Sequence, residues 1–155
     1  MKVRDIMLQP PQVCRLETDL GIVSRRMTIA GCGTVVVLDH RGRVAGILTD
    51  RDLASAIGRT NRPAAHVLAH EVMTHPVHTV KPDDGVRTAL ERMMSARVRR
   101  LPVVDEDRDL KGVISVDDII LWGLQQGGVT RSDLVATLRA ISWAHYPDVE
   151  GNCAV

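Results

Sequence analysis

Gly46-Ile47-Leu48-Thr49-Asp50-Arg51-Asp52-Leu53 returns 66 residues later as Gly112-Val113-Ile114-Ser115-Val116-Asp117-Asp118-Ile119. Each copy reads glycine, two aliphatics, a hydroxyl residue, two spacers, an aspartate and an aliphatic. The match extends outward in the same register. Met7 meets Met73, Pro10 meets Pro76, Arg26-Met27 meets Arg92-Met93, Val37 meets Val103, and Asp39 meets Asp105. No gap is needed from Asp5 to Leu53. One supersecondary unit has been made twice, and that decides the architecture.

Each copy reads as β-α-β-β-α. Short strands are expected over 13–16 and 77–80. A helix follows each, opened by Thr18 or Asp19 in the first copy and by Pro82-Asp83 in the second. Leu20, Val23, Met27 and Ala30 recur at helical spacing, as do Val86, Ala89, Leu90, Met93 and Met94. Two strands then turn through Asp39-His40-Arg41-Gly42 and through 105–109. The second helices start after Thr49 and Ser115, each hydroxyl placed to cap. A unit of roughly 50 residues buries too little alone, so the copies are expected to pack sheet to sheet and leave clefts between them. The boundaries follow: first repeat 1–58, linker 59–70 with a helical turn after Pro63, second repeat 71–126. Gly127-Gly128 breaks the chain. Thr130-Arg131-Ser132-Asp133 then opens a last helix with an apolar face of Leu134, Val135, Leu138, Ile141 and Trp143, and a frayed tail follows from His145.

Composition narrows the class. The 155 residues are 45% hydrophobic and 25% charged, the balance of a soluble globular protein. The net charge of +1 gives no global pull toward nucleic acid or anionic membrane. Two Trp, one Tyr and no Phe leave no aromatic platform for stacking nucleic-acid bases. Cys14, Cys32 and Cys153 form no CxxC pair, which suits reduced thiols in the cytoplasm. The amino terminus lacks the apolar stretch of a signal peptide, and no run approaches the ~18 residues that span a bilayer.

The chemistry sits at the repeated corner. A hydroxyl that caps a helix places itself and nearby backbone N–H groups where an anion binds. An aspartate three residues on can accept hydrogen bonds from vicinal hydroxyls such as a ribose diol. Thr49 with Asp52, and Ser115 with Asp118, offer this twice; helix capping is the competing reading. His66, His70, His75 and His78 fall close together, but no cysteine or carboxylate completes a metal-ligand spacing. Nucleophile elbow, Walker loop and HExxH motif are absent, so no enzyme chemistry is indicated.

With these residues in view the chain resembles a CBS domain pair, or Bateman module. The tandem Gly-aliphatic-aliphatic-Thr/Ser-x-x-Asp motifs carry the likeness, with Arg-Leu-Pro-Val-Val-Asp at 100–105 and Asp-Ile-Met at 5–7. The resemblance covers roughly residues 3–124. It implies an α/β pair of repeats that regulates a partner and binds adenosine-containing ligands (AMP, ADP, ATP or S-adenosylmethionine) in clefts between the repeats. A first site would join Thr49 and Asp52 to Val77, His78, Arg99 and Arg100, the aspartate holding ribose and the arginines phosphate. A second would join Ser115 and Asp118 to Gln12, Val13, Gly33 and Thr34, with no basic pair. The resemblance further implies a homodimer, an unidentified protein target, no cofactor, and no nucleic-acid or membrane partner. Two alternatives stay open: an interaction module with unoccupied clefts, and a metal protein using the histidines between His66 and His78.

Overall fold

A computed structural model gives the structure of residues 1–124 and 128–143. Gly127, the tail from residue 144 with Cys153, and the Trp143 side chain lie outside the described residues. The first repeat runs β1 (Val13–Arg15), α1 (Leu20–Ala30), β2 (Thr34–Leu38), β3 (Val44–Thr49) and α2 (Asp50–Thr60). A 3-10 turn at Ala64–His66 and a short helix α3 (Ala69–Val72) lead into the second repeat. That repeat runs α4 (Val86–Ala96), β4 (Arg100–Val104), β5 (Leu110–Ser115) and α5 (Val116–Asp118), which continues as a π-helical stretch over Ile119–Gly123. Helix α6 (Arg131–Trp143) follows. Among the described residues no helix is long and apolar enough to cross a membrane.

The 66-residue offset survives in three dimensions. In the first sheet β1 runs parallel to β2, and β2 antiparallel to β3 with Thr34 opposite Thr49 and Val37 opposite Gly46. In the second, Arg100 lies opposite Ser115 and Val103 opposite Gly112. The register slips at Val37/Leu38 in one and at Val103/Val104 in the other. The strand expected over 77–80 shrinks to a single parallel bridge between Val80 and Val103. Helix α4 also starts later than Pro82, capped at Gly85. The carbonyls of Pro82 and Asp84 accept from Arg4 and Val3 N–H groups, and Asp84 N–H turns back to the Lys81 carbonyl, so this stretch is a turn rather than the start of the helix.

That contact belongs to an exchange between the repeats. Val86 N–H donates to the Met1 carbonyl, and in the first repeat Leu20 N–H donates to the Val67 carbonyl, so each helix start is closed by the segment preceding the other repeat. The apolar core divides accordingly. Val3 lies fully buried among Val86, Leu90, Met93, Leu101 and Ile114, whereas Val67 and Ala69 lie buried among Leu20, Val23, Val35 and Leu48. Antiparallel bridges from Leu8 to Val113 and from Thr74 to Ile47 complete the exchange. The recurring glycines follow from it. A Cβ on Gly46 would collide with the Met73 thioether, and one on Gly112 would come within 2.8 Å of the Leu8 carbonyl oxygen and 2.9 Å of Met7 Sδ.

Candidate functional site

The corner between β3 and α2 is a capping box. Thr49 N–H and Thr49 Oγ1 both donate to Asp52 Oδ2, at 2.8 and 2.7 Å, while Asp52 N–H donates back to Thr49 Oγ1 at 3.3 Å. Ser115 and Asp118 repeat the pattern at 2.8, 2.6 and 3.1 Å. Both roles considered for this motif therefore meet in one carboxylate. Oδ2 spends its lone pairs on the cap, and Oδ1 of each aspartate takes no hydrogen bond among the described residues. A diol could be held through that remaining oxygen, which has two lone pairs.

Opposite Thr49 and Asp52 stands the run Arg97-Val98-Arg99-Arg100. Arg97 closes α4 with φ +55°, the left-handed conformation that Gly31 adopts at the matching end of α1. That turn swings the chain back into β4, where Arg99's carbonyl accepts from Val116 N–H at 3.0 Å and Arg100 pairs with Ser115. Between the corner and the run lies a cleft of about 600 Å³. Its lining includes Thr49, Asp50, Arg51 and Asp52 from the first repeat, Arg97 to Arg100 from the second, and Ile141 and Ser142 from α6. Ile47 and Thr74 complete it. Four arginines and two aspartates thus line the cleft, and Arg99 also pairs with Asp117 at 3.4 Å.

Four expected residues of the first site, Thr49, Asp52, Arg99 and Arg100, come together in this cleft. Val77, half-buried, and His78, exposed, are not among its lining residues. Arg51, Arg97, Ile47 and Thr74 were not singled out from the sequence, although Arg97 stands in the same arginine run. Ile141 and Ser142 carry no repeat signal, because α6 has no counterpart in the first repeat.

Around the other corner, Ser115 and Thr34 are buried, 8% and 9% exposed, and Thr34 Oγ1 has no hydrogen-bond partner among the described residues. Gly33 and Thr34 adjoin their own repeat's corner: Asp50 N–H donates to the Gly33 carbonyl at 3.3 Å. Val13 lies in β1 and Gln12 directly before it, their carbonyls accepting from Arg26 and from Val36 N–H. His66, His70, His75 and His78 are exposed, with His70 Nδ1 3.0 Å from the Leu16 carbonyl oxygen. Among the described residues no three or more His, Cys, Asp or Glu side chains gather in a metal-holding group.

Comparison with known proteins gives a consistent result. The family model for the CBS domain matches twice, over residues 3–59 and 69–124. An uncharacterized protein of Methanopyrus kandleri is 31% identical over 117 residues, which cover 76% of this chain and 57% of that one. The chain spans only 40% and 38% of the length of two other curated relatives. A CBS domain pair solved with 5-methylthioadenosine and S-adenosyl-L-methionine superposes with a TM-score of 0.71 at 25% identity, covering 78% of this chain and 98% of its own. A CBS domain protein of Pyrobaculum aerophilum, solved with AMP, superposes with a TM-score of 0.72 at 20% identity, covering 89% and 98%.

Proposed function

The chain belongs to the CBS domain family, and from that premise we propose that it is a regulatory module that binds an adenosine-containing ligand between its repeats. The observation that carries this reading is the 600 Å³ cleft in which Thr49 and Asp52 of one repeat face Arg97, Arg99 and Arg100 of the other. Asp52 Oδ1 takes the ribose diol. The guanidinium groups take phosphate, for which their planar forks are suited. That solved relatives carry AMP, or S-adenosylmethionine with methylthioadenosine, supports the adenosyl class.

Charge selects within that class. Four arginines against Asp50 and Asp52 leave the lining net cationic, and it stays so after Asp117 is counted against Arg99. A sulfonium ligand meets repulsion there and a nucleotide meets attraction. AMP, ADP and ATP are therefore favoured over S-adenosylmethionine in this cleft. The second set, Ser115 and Asp118 with Gln12, Val13, Gly33 and Thr34, lacks such an arginine cluster and suits an uncharged adenosyl group; the buried Thr34 hydroxyl, without a hydrogen-bond partner among the described residues, supports a polar contact there. Val77 and His78, expected beside the adenine of the first site, are not among the residues that line this cleft and take no part in the proposed site.

Output passes through a partner or through oligomer state, since ligand shifts a conformational equilibrium by its differential affinity. A homodimer in the cytoplasm fits this reading. Ile29, Leu121, Trp122 and Val135 are large apolar side chains left more than half exposed, area that a second copy could cover. Isothermal titration with AMP, ADP, ATP and S-adenosylmethionine tests the ligand class. Binding of a nucleotide that weakens in Asp52→Asn and Arg100→Ala is the expected result. No binding of any of the four, or binding untouched by both substitutions, overturns the proposal.

A further inference from the structure

Helix α6 belongs to neither repeat, yet it reaches the cleft. Its start is capped by Thr130 and Asp133, with Thr130 N–H and Oγ1 donating to Asp133 Oδ2 at 2.8 and 2.7 Å, and Arg87 of α4 pairs with Asp133 at 2.9 Å. Leu134 and Ile141 are 5% and 3% exposed in the core of the second repeat, which lays the helix along α4. The final turn then delivers Ile141 and Ser142 to the cleft wall. The lining holds Asp50, Asp52 and four arginines together with three aliphatic side chains, Ile47, Val98 and Ile141, one each from the first repeat, the second repeat and α6.

We propose that the last turn of α6 is part of the ligand site: Ile141, with Ile47 and Val98, forms the apolar wall for the ligand's planar base, and Ser142 sets the room beside it. This rests on the adenosyl reading of the cleft and adds a specificity element to it. The sugar goes to the carboxylate and the phosphates to the guanidinium groups, so the aliphatic wall is the surface left for a base. Apolar lining with a few placed polar groups is the usual make-up of such sites. A ligand seated there touches both repeats and α6 together, so occupancy ties α6 down. The helix that follows the repeats becomes the element that registers the ligand.

Ser142 is the side chain to change, because it is exposed whereas Ile141 is embedded in the core. Titration of the full chain with AMP and ATP compares the native protein with Ser142→Trp, which fills the space, and Ser142→Glu, which sets a negative charge beside the arginines. Hydrogen exchange of residues 131–143 is followed with and without nucleotide. The expected result is nucleotide-dependent protection of α6 and a loss of affinity of roughly tenfold or more in both variants, with the melting point of the free protein unchanged. If Ser142→Trp alters folding, Ser142→Glu and the exchange data decide. Native binding with undiminished affinity in the variants and no protection of α6 overturns the role of the helix and leaves the nucleotide site standing. No binding by the native protein overturns the site itself.

Discussion

Asp52 carries two duties on one carboxylate, and a single substitution separates them. Asparagine keeps an oxygen for the Thr49 N–H but loses the charge and one acceptor. Asp52→Asn is therefore expected to lower nucleotide affinity about tenfold while costing only about 1 kcal/mol of stability, read by titration and thermal melting of one preparation. Gly46 and Gly112 behave oppositely. Alanine at either runs into Met73 or into Met7 and the Leu8 carbonyl, so Gly46→Ala and Gly112→Ala are expected to destabilise by roughly 1–3 kcal/mol. The worse outcome belongs to Gly112, where one of the opposing atoms is backbone. The cysteines differ as well. Burial pushes the Cys14 thiol up to about 11, against a smaller lowering by Arg26, so it stays protonated and inert at pH 8. Alkylation at that pH, mapped by mass spectrometry, is expected to mark the more accessible Cys32 well before Cys14.

At the scale of elements, what the chain disclosed in advance was whatever is written twice or capped locally. Thr49, Ser115 and Thr130 were legible as helix starts because a hydroxyl and an aspartate three residues on satisfy one another without help. The start of α4 was not, because its closing acceptor is the Met1 carbonyl, 85 residues upstream of Val86, and no local pattern encodes it. The strand expected over 77–80 failed for a related reason: of its four residues only Val80 finds a bridge partner in β4. The Thr49 and Asp52 half of the cleft could likewise be read from the repeat, whereas Ile141 could not, since its place depends on α6 docking along α4. That docking has a test. Thr130→Ala removes the cap, and is expected to cost about 1 kcal/mol and to weaken nucleotide binding through the displaced last turn. The Thr130 N–H, then its hydroxyl and Arg87, hold the Asp133 carboxyl below its ordinary value. A depressed carboxylate stabilises the fold above its unfolded pKa, and that contribution is lost as pH falls through the folded value. Exchange protection of α6 is thus expected to persist at pH 6 and to fade below about pH 4.

Taken whole, the molecule has two cores and neither is made by one repeat. Val3 closes the second core and Val67 with Ala69 closes the first. Val3→Ala is expected to cost roughly 1–3 kcal/mol although the residue precedes the first repeat's own strands, and its effect should appear as lost exchange protection in α4 and β5. A fragment ending at Thr60 lacks Val67 and Ala69, and is expected to show no cooperative melting transition. A lone 66-residue unit, folded this way, would offer its leading segment outward and leave an open groove where that segment's equivalent belongs. It could close only by trading arms with a twin. The present chain carries two such units in tandem, so each arm finds its groove within one molecule. The two units are nonetheless free to differ in charge, and Arg99 and Arg100 stand where the first copy has Gly33 and Thr34.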